Sequence, residues 1–263
     1  MVSYLRPFLA SVRVSFRMFA VEMPPLFYLG TEIPNLVMRT VFFFLIARCA
    51  GGPHLGQFAL IGNAVLAINL AIMMPVSNVV YMERTTGNLE LLMVTPANKV
   101  VTILGRAGAS FVEGLLKTFT VLLLMGPIAG VPLTMTVGAL RALPVLFLIS
   151  VSMTGFALAV ASASFTMRVE FILASVSGSV LMILGGVNVP LEALPSPLAA
   201  VGKWLPLTHG LLAFRAIAEG ASYSDVLPHV LSEAWVGAAY MFVGVFLFSM
   251  QLLRARRSGI GFT

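Results

Sequence analysis

Glu83-Arg84-Thr85-Thr86-Gly87-Asn88-Leu89-Glu90-Leu91-Leu92-Met93-Val94-Thr95-Pro96 is the longest charged stretch lying between two strongly apolar ones. Before it, Phe58 to Met82 is long and apolar enough to cross a bilayer as a helix, and after it so is Ala107 to Met125. The stretch therefore reads as a connection between two membrane helices. Past the break at Gly87, Leu89, Leu91, Leu92, Met93 and Val94 are too apolar for a bare loop. Such a segment wants cover, from the bilayer surface or from a docked protein.

Composition agrees with a membrane fold. Of 263 residues, 59% are hydrophobic and only 10% charged, against roughly a quarter charged in ordinary soluble domains. A soluble fold would need more polar residues to cover its surface, so the expectation is an all-α integral membrane protein forming a single transmembrane domain over residues 1–263. Six apolar segments approach the length that spans about 30 Å of hydrocarbon. They run from Ile33 to Ala50, Phe58 to Met82, Ala107 to Met125, Leu140 to Phe165, Phe171 to Val189 and Ala234 to Leu253.

The formal charge of +6 then reads as a topology signal and not as a nucleic-acid footprint. Arg6, Arg13, Arg17, Arg84, Lys99, Arg106, Arg168, Arg254, Arg256 and Arg257 fall on one side if the two termini share a side. Arg48, Arg141, Lys203 and Arg215 fall on the other. Positive-inside counting puts both termini in the cytoplasm, which six spans allow. The lone Cys49 rules out an intrachain disulfide and leaves the redox compartment open.

Residues 1–23 contain no uninterrupted apolar core of the signal-peptide kind, because Arg6, Arg13 and Arg17 interrupt it. Leu5, Phe8, Leu9, Val12, Phe16 and Phe19 instead share one helical face with the arginines along its flank. An amphipathic helix at the cytoplasmic interface is expected, its arginines near anionic head groups; packing on a soluble partner is the alternative. Residues 190–233 are broken by Pro190, Pro195, Pro197 and Pro206 into pieces too short to span, which suits short external helices before the last span.

Two stretches carry a resemblance. The run from Glu83 to Pro96 resembles the E-R-x-x-G-[ST]-[LI]-E-x-L-x-x-[ST]-P pattern that follows the second membrane helix in permeases of the ABC-2 exporter family. Glu83, Arg84, Gly87, Leu89, Glu90, Leu92, Thr95 and Pro96 match, and Asn88 departs from the usual Ser or Thr. The segment from Leu205 to Arg215 is similar to the proline-containing segment, ending in arginine, that precedes the last helix of the same family. With the amphipathic N-terminus and six spans, the likeness covers essentially the whole chain.

The resemblance implies the compact exporter fold and a role in export across a bacterial plasma (inner) membrane. It implies two permease copies, a homodimer or a heterodimer, with two cytosolic ATP-binding cassette subunits. Residues 83–106 would then form a coupling helix resting in a groove of the ATPase, and ATP and Mg would be bound by that subunit. The pathway would follow the permease–permease seam, capped by the external helices. Family members export antibiotics, lipo-oligosaccharides and lipid-linked polysaccharides. With two Trp and five Tyr, this chain offers few rings for stacking on sugars. That favours an apolar or amphipathic small molecule, such as an antibiotic in self-resistance, over a glycan or glycolipid.

No catalytic constellation is found in the sequence. It has no G-x-x-x-x-G-K-[ST] phosphate loop, and Ser110, followed by Phe111 and Val112, does not make a nucleophile elbow. His54, His209 and His229 lack metal-ligand spacing. Within the spans, Glu113 and Lys117 stand i,i+4 in the favourable order, as a structural ion pair or as a proton relay. Arg39 has three readings: pairing with Glu32, reaching Glu113, or snorkelling. Asn63, Asn69 and Asn78 suit hydrogen bonds across helix interfaces. Asn69 and Met73 are the sharper candidates for a substrate pathway, opposed by Leu181 and Leu184 as a dry gate. An ion-coupled secondary transporter would want inverted repeats, and none is visible between the halves.

Overall fold

The computed structural model of the chain describes residues 2–22, 24–85, 99–167 and 170–257. Nine helices organise them: α1 Val2–Glu22, α2 Ile33–Thr85, α3 Lys99–Met125, α4 Leu133–Arg141, α5 Leu143–Met167, α6 Glu170–Leu184, α7 Ser196–Gly202, α8 Thr208–Ala218 and α9 Tyr223–Arg257. A single turn, Pro25–Phe27, and a π-helical turn, Tyr28–Glu32, lead into α2. Among the described residues there is no strand. Pro25–Val76, Ala107–Met125, Leu143–Ala163 and Tyr223–Gln251 are long and apolar enough to cross a membrane, and Ile172–Leu184 is a shorter apolar helix.

The first expected span ends where the sequence places it, but the loop after it all but vanishes. The helix of α2 breaks only at Gly51 (φ −141°, ψ 18°) and Gly52 (φ 78°, ψ −170°). Gly52 occupies a conformation that side chains resist, and Pro53 then restarts the helix with its fixed φ. A Cβ on Gly56 would stand 3.0 Å from the Phe44 ring and 3.1 Å from Arg48 Cβ. In a continuous helix residues 44 and 56 would be about 18 Å apart, so the chain reverses here and its two arms pack side by side. The helix expected as the second span thus starts at Pro53 instead of Phe58.

Three other boundaries are corrected. The helix expected as the fourth span starts at Leu143, because Ala142 leaves helical geometry (φ −83°, ψ 6°) and residues before it form the separate helix α4. Where the fifth span is expected there is a shorter apolar helix that ends at Leu184 instead of Val189, stopped by Gly185 and by Gly186 at φ 70°. The last begins at Tyr223 instead of Ala234, so residues 190–233 include its first turns. The short helices expected between the prolines form as a 3-10 turn at Leu191–Ala193, α7 and α8.

The most extensive packing joins α5 to α9. A Cβ on Gly155 would meet Met241 N at 2.5 Å, and one on Gly244 would strike the Gly155 carbonyl oxygen. The small residues at 155 and 159 therefore admit a neighbour within the same chain. The second arm of α2 packs on α3 just as closely, with Gly114 against Ile68 Cα and the Thr118 hydroxyl donating to Ala64 O at 2.9 Å. Helix α1 lies on α3, Val12 over Gly108.

Candidate functional site

The segment between α6 and α9 is pinned from two sides. At the start of α8, Leu207 is buried and adopts φ 82°, a strained backbone for leucine. Its N–H donates to Glu233 Oε1 at 3.0 Å, and Gly210 N–H donates to Glu233 Oε2 at 2.9 Å. One fully buried carboxylate on α9 thus satisfies two orphan donors and sits at the positive end of the α8 dipole. His209 and His229 stack beside it with ring centroids 6.2 Å apart.

At the far end of α8, Arg215 Nη1 donates to Gly186 O at 2.9 Å. Its Nη2 donates to Phe58 O at 3.0 Å and to Val187 O at 3.1 Å. The guanidinium carbon lies 3.4 Å from the centroid of the Phe58 ring. One side chain therefore joins α8 to the carbonyls left free where α6 ends and to the second arm of α2. Gly62 makes this possible, because a Cβ there would come within 2.8 Å of Nη2. Burial lowers the Arg215 guanidinium to about 9, with Glu219 and Glu192 pulling the other way; it stays charged at neutral pH. Asn63 extends the contact, donating to Asn188 Oδ1 at 2.6 Å and to Ala59 O at 2.8 Å.

A second polar cluster lies within the spans. Lys117 Nζ stands 2.6 Å from Glu113 Oε1 and 2.9 Å from Glu32 Oε2. The predicted pair forms, and the π-turn before α2 brings Glu32 to the same ammonium. Among the described residues Arg39 pairs with neither carboxylate. The two readings that pair Arg39 with Glu32 or with Glu113 are therefore not met.

Asn69 and Met73 lie on α2 and Leu181 and Leu184 on α6, two helices that pack on each other. Asn69, Met73 and Leu181 are buried and Leu184 is half-buried. Asn69 Nδ2 faces Gly178, where a Cβ would be 3.2 Å away. Among the described residues of α6, those left exposed are Ile172, Ser175, Val176, Ser179 and Ile183, which share one helical stripe. In the coupling stretch, Glu83 and Arg84 fall in the last turn of α2, while Gly87, Leu89, Glu90, Leu92, Thr95 and Pro96 lie outside the described residues.

The sequence reading missed Glu233 and Asn188 as structural partners. Only the start of the helix that bears Glu233 carried a signal. Ser222 N–H donates to Asp225 Oδ2 at 3.2 Å, a capping arrangement that Ser222-x-x-Asp225 announces and that starts α9 at Tyr223. Asn188 carried none, since its partner is 125 residues away.

The family model described as ABC-2 type transporter matches residues 13–218, from within α1 to the end of α8. No curated protein matches the chain.

Proposed function

We propose that this chain, which belongs to the ABC-2 type transporter family, is the membrane permease subunit of an ATP-driven exporter that moves an apolar or amphipathic small molecule out of the cell. The observation that carries the reading is a family match over 13–218 in a sequence without a phosphate-binding loop. ATP and Mg are therefore assigned to a cytosolic ATP-binding cassette subunit, docked against Glu83 to Pro96. Two permease copies would enclose the pathway, with both termini in the cytoplasm and α7 and α8 outside. The exposed stripe of α6 is our candidate for the seam between copies. ATP binding would close the ATPase pair and pass that motion through residues 83–106 into α2 and α3, exchanging inward-facing for outward-facing states.

The test is reconstitution with the cognate ATPase. Glu90→Lys or Gly87→Val should abolish transport-linked ATPase activity while the permease still inserts. Transport down an ion gradient by the permease without any ATPase would sink the proposal and favour a secondary transporter.

A further inference from the structure

Along the first arm of α2, Asn35, Arg39, Phe42 and Ile46 follow one another at i, i+4, i+7 and i+11, and so lie on one face. Asn35 is exposed and Arg39 half-exposed. Phe42 and Ile46 are exposed, as is Met38 on the flank. The same arm buries its opposite face through Leu36, Thr40, Phe44 and Ala47. The outward face is thus polar at the end near the π-turn and apolar beyond it.

Neither polar side chain is satisfied by another described residue. Among the described residues the side chains of Asn35 and Arg39 make no hydrogen bond or ion pair. Glu32 and Glu113, the carboxylates the sequence offers as partners for Arg39, are both held by Lys117. A charged guanidinium two turns inside an apolar helix is costly without a counter-charge. Helical side chains lean toward the N-terminus, so Arg39 reaches back over Asn35, toward the interface.

We infer that Asn35 and Arg39 bind the phosphate of an anionic phospholipid whose acyl chain lies along Phe42 and Ile46. The dimensions suit this occupant. Asn35 to Ile46 rises about 16 Å, about half of the 30 Å hydrocarbon thickness and so the depth of one leaflet. A phosphodiester gives Arg39 a bidentate acceptor with full opposite charge, and Asn35 a further acceptor. The site rests on the membrane placement of α2 and not on the exporter reading.

The test is native mass spectrometry of the detergent-purified full chain, titrated with phosphatidylglycerol and, separately, with diacylglycerol of the same chains. Wild type should retain phosphatidylglycerol selectively. Arg39→Gln should weaken that binding by about tenfold, the equivalent of one charge-assisted hydrogen bond. Arg39→Lys should keep most of it, and Asn35→Ala should lose less than Arg39→Gln. If Arg39→Gln does not yield folded protein, Arg39→Lys and Asn35→Ala still give the expected ranking. Equal retention of both lipids by wild type would overturn the site, as would unchanged phosphatidylglycerol binding in Arg39→Gln. So would an Arg39→Gln protein that loses a dimer but keeps the lipid, which would assign this face to a second copy.

Discussion

Glu233 and Arg215 hold the same short helix by complementary chemistry, a carboxylate taking N–H groups at one end and a guanidinium giving N–H groups at the other. Replacing Glu233 by Gln leaves one acceptor oxygen where the carboxylate has two. Either Leu207 or Gly210 would then keep an unsatisfied buried N–H, at a cost of about 1–3 kcal/mol. Thermal unfolding in detergent should report a lower Tm for Glu233→Gln, and an unchanged Tm would mean that the carboxylate does not hold α8. Arg215→Lys keeps the charge but loses the planar fork that reaches three carbonyls from two nitrogens. It should destabilise by about as much and loosen Phe58, so protease cutting near residues 186–190 should quicken. Resistance equal to wild type would show that these carbonyls are satisfied without the fork.

Helices as elements were legible because apolar length is a local property of sequence; their ends were not. Gly51, Gly52, Pro53, His54 and Gly56 read as loop, yet Pro53 suits the first turn of a helix and only two glycines leave helical geometry. Val187 and Val189 prolonged the apolar signal of the fifth span past the glycines that stop it. The Glu113–Lys117 pair was legible because i,i+4 contacts need no tertiary structure. The bonds of Arg215 to Phe58 and of Glu233 to Gly210 depend on which helices become neighbours, which periodicity does not encode. Two predictions belong to this scale. Gly155→Leu should force α5 and α9 apart and cost roughly 3 kcal/mol or more by overpacking, read as a loss of folded yield at 37 °C; a variant that folds like wild type would refute the tight crossing. Ser179→Cys, in a chain with Cys49 replaced, should form a disulfide between two copies in the membrane if the α6 stripe is the seam. Efficient crosslinking through α5 with none at 179 would place the seam elsewhere.

For the whole molecule, the distribution of arginine and lysine gives a prediction independent of any side-chain contact. With Cys49 replaced, an impermeant thiol reagent should label Ser196→Cys in intact cells and spare Ser258→Cys, and the reverse pattern would invert the orientation. The Gly51–Gly52 turn bears on how such a chain is made. The two arms of α2 are joined by two residues out of helical geometry, so the first cannot settle across the bilayer while the second waits at the ribosome on a slack tether. It also carries Arg39 within it, a poor passenger on its own. The expected course of synthesis is therefore entry as a closed hairpin, and a nascent chain stopped midway through the second arm should leave the first still extractable from the membrane.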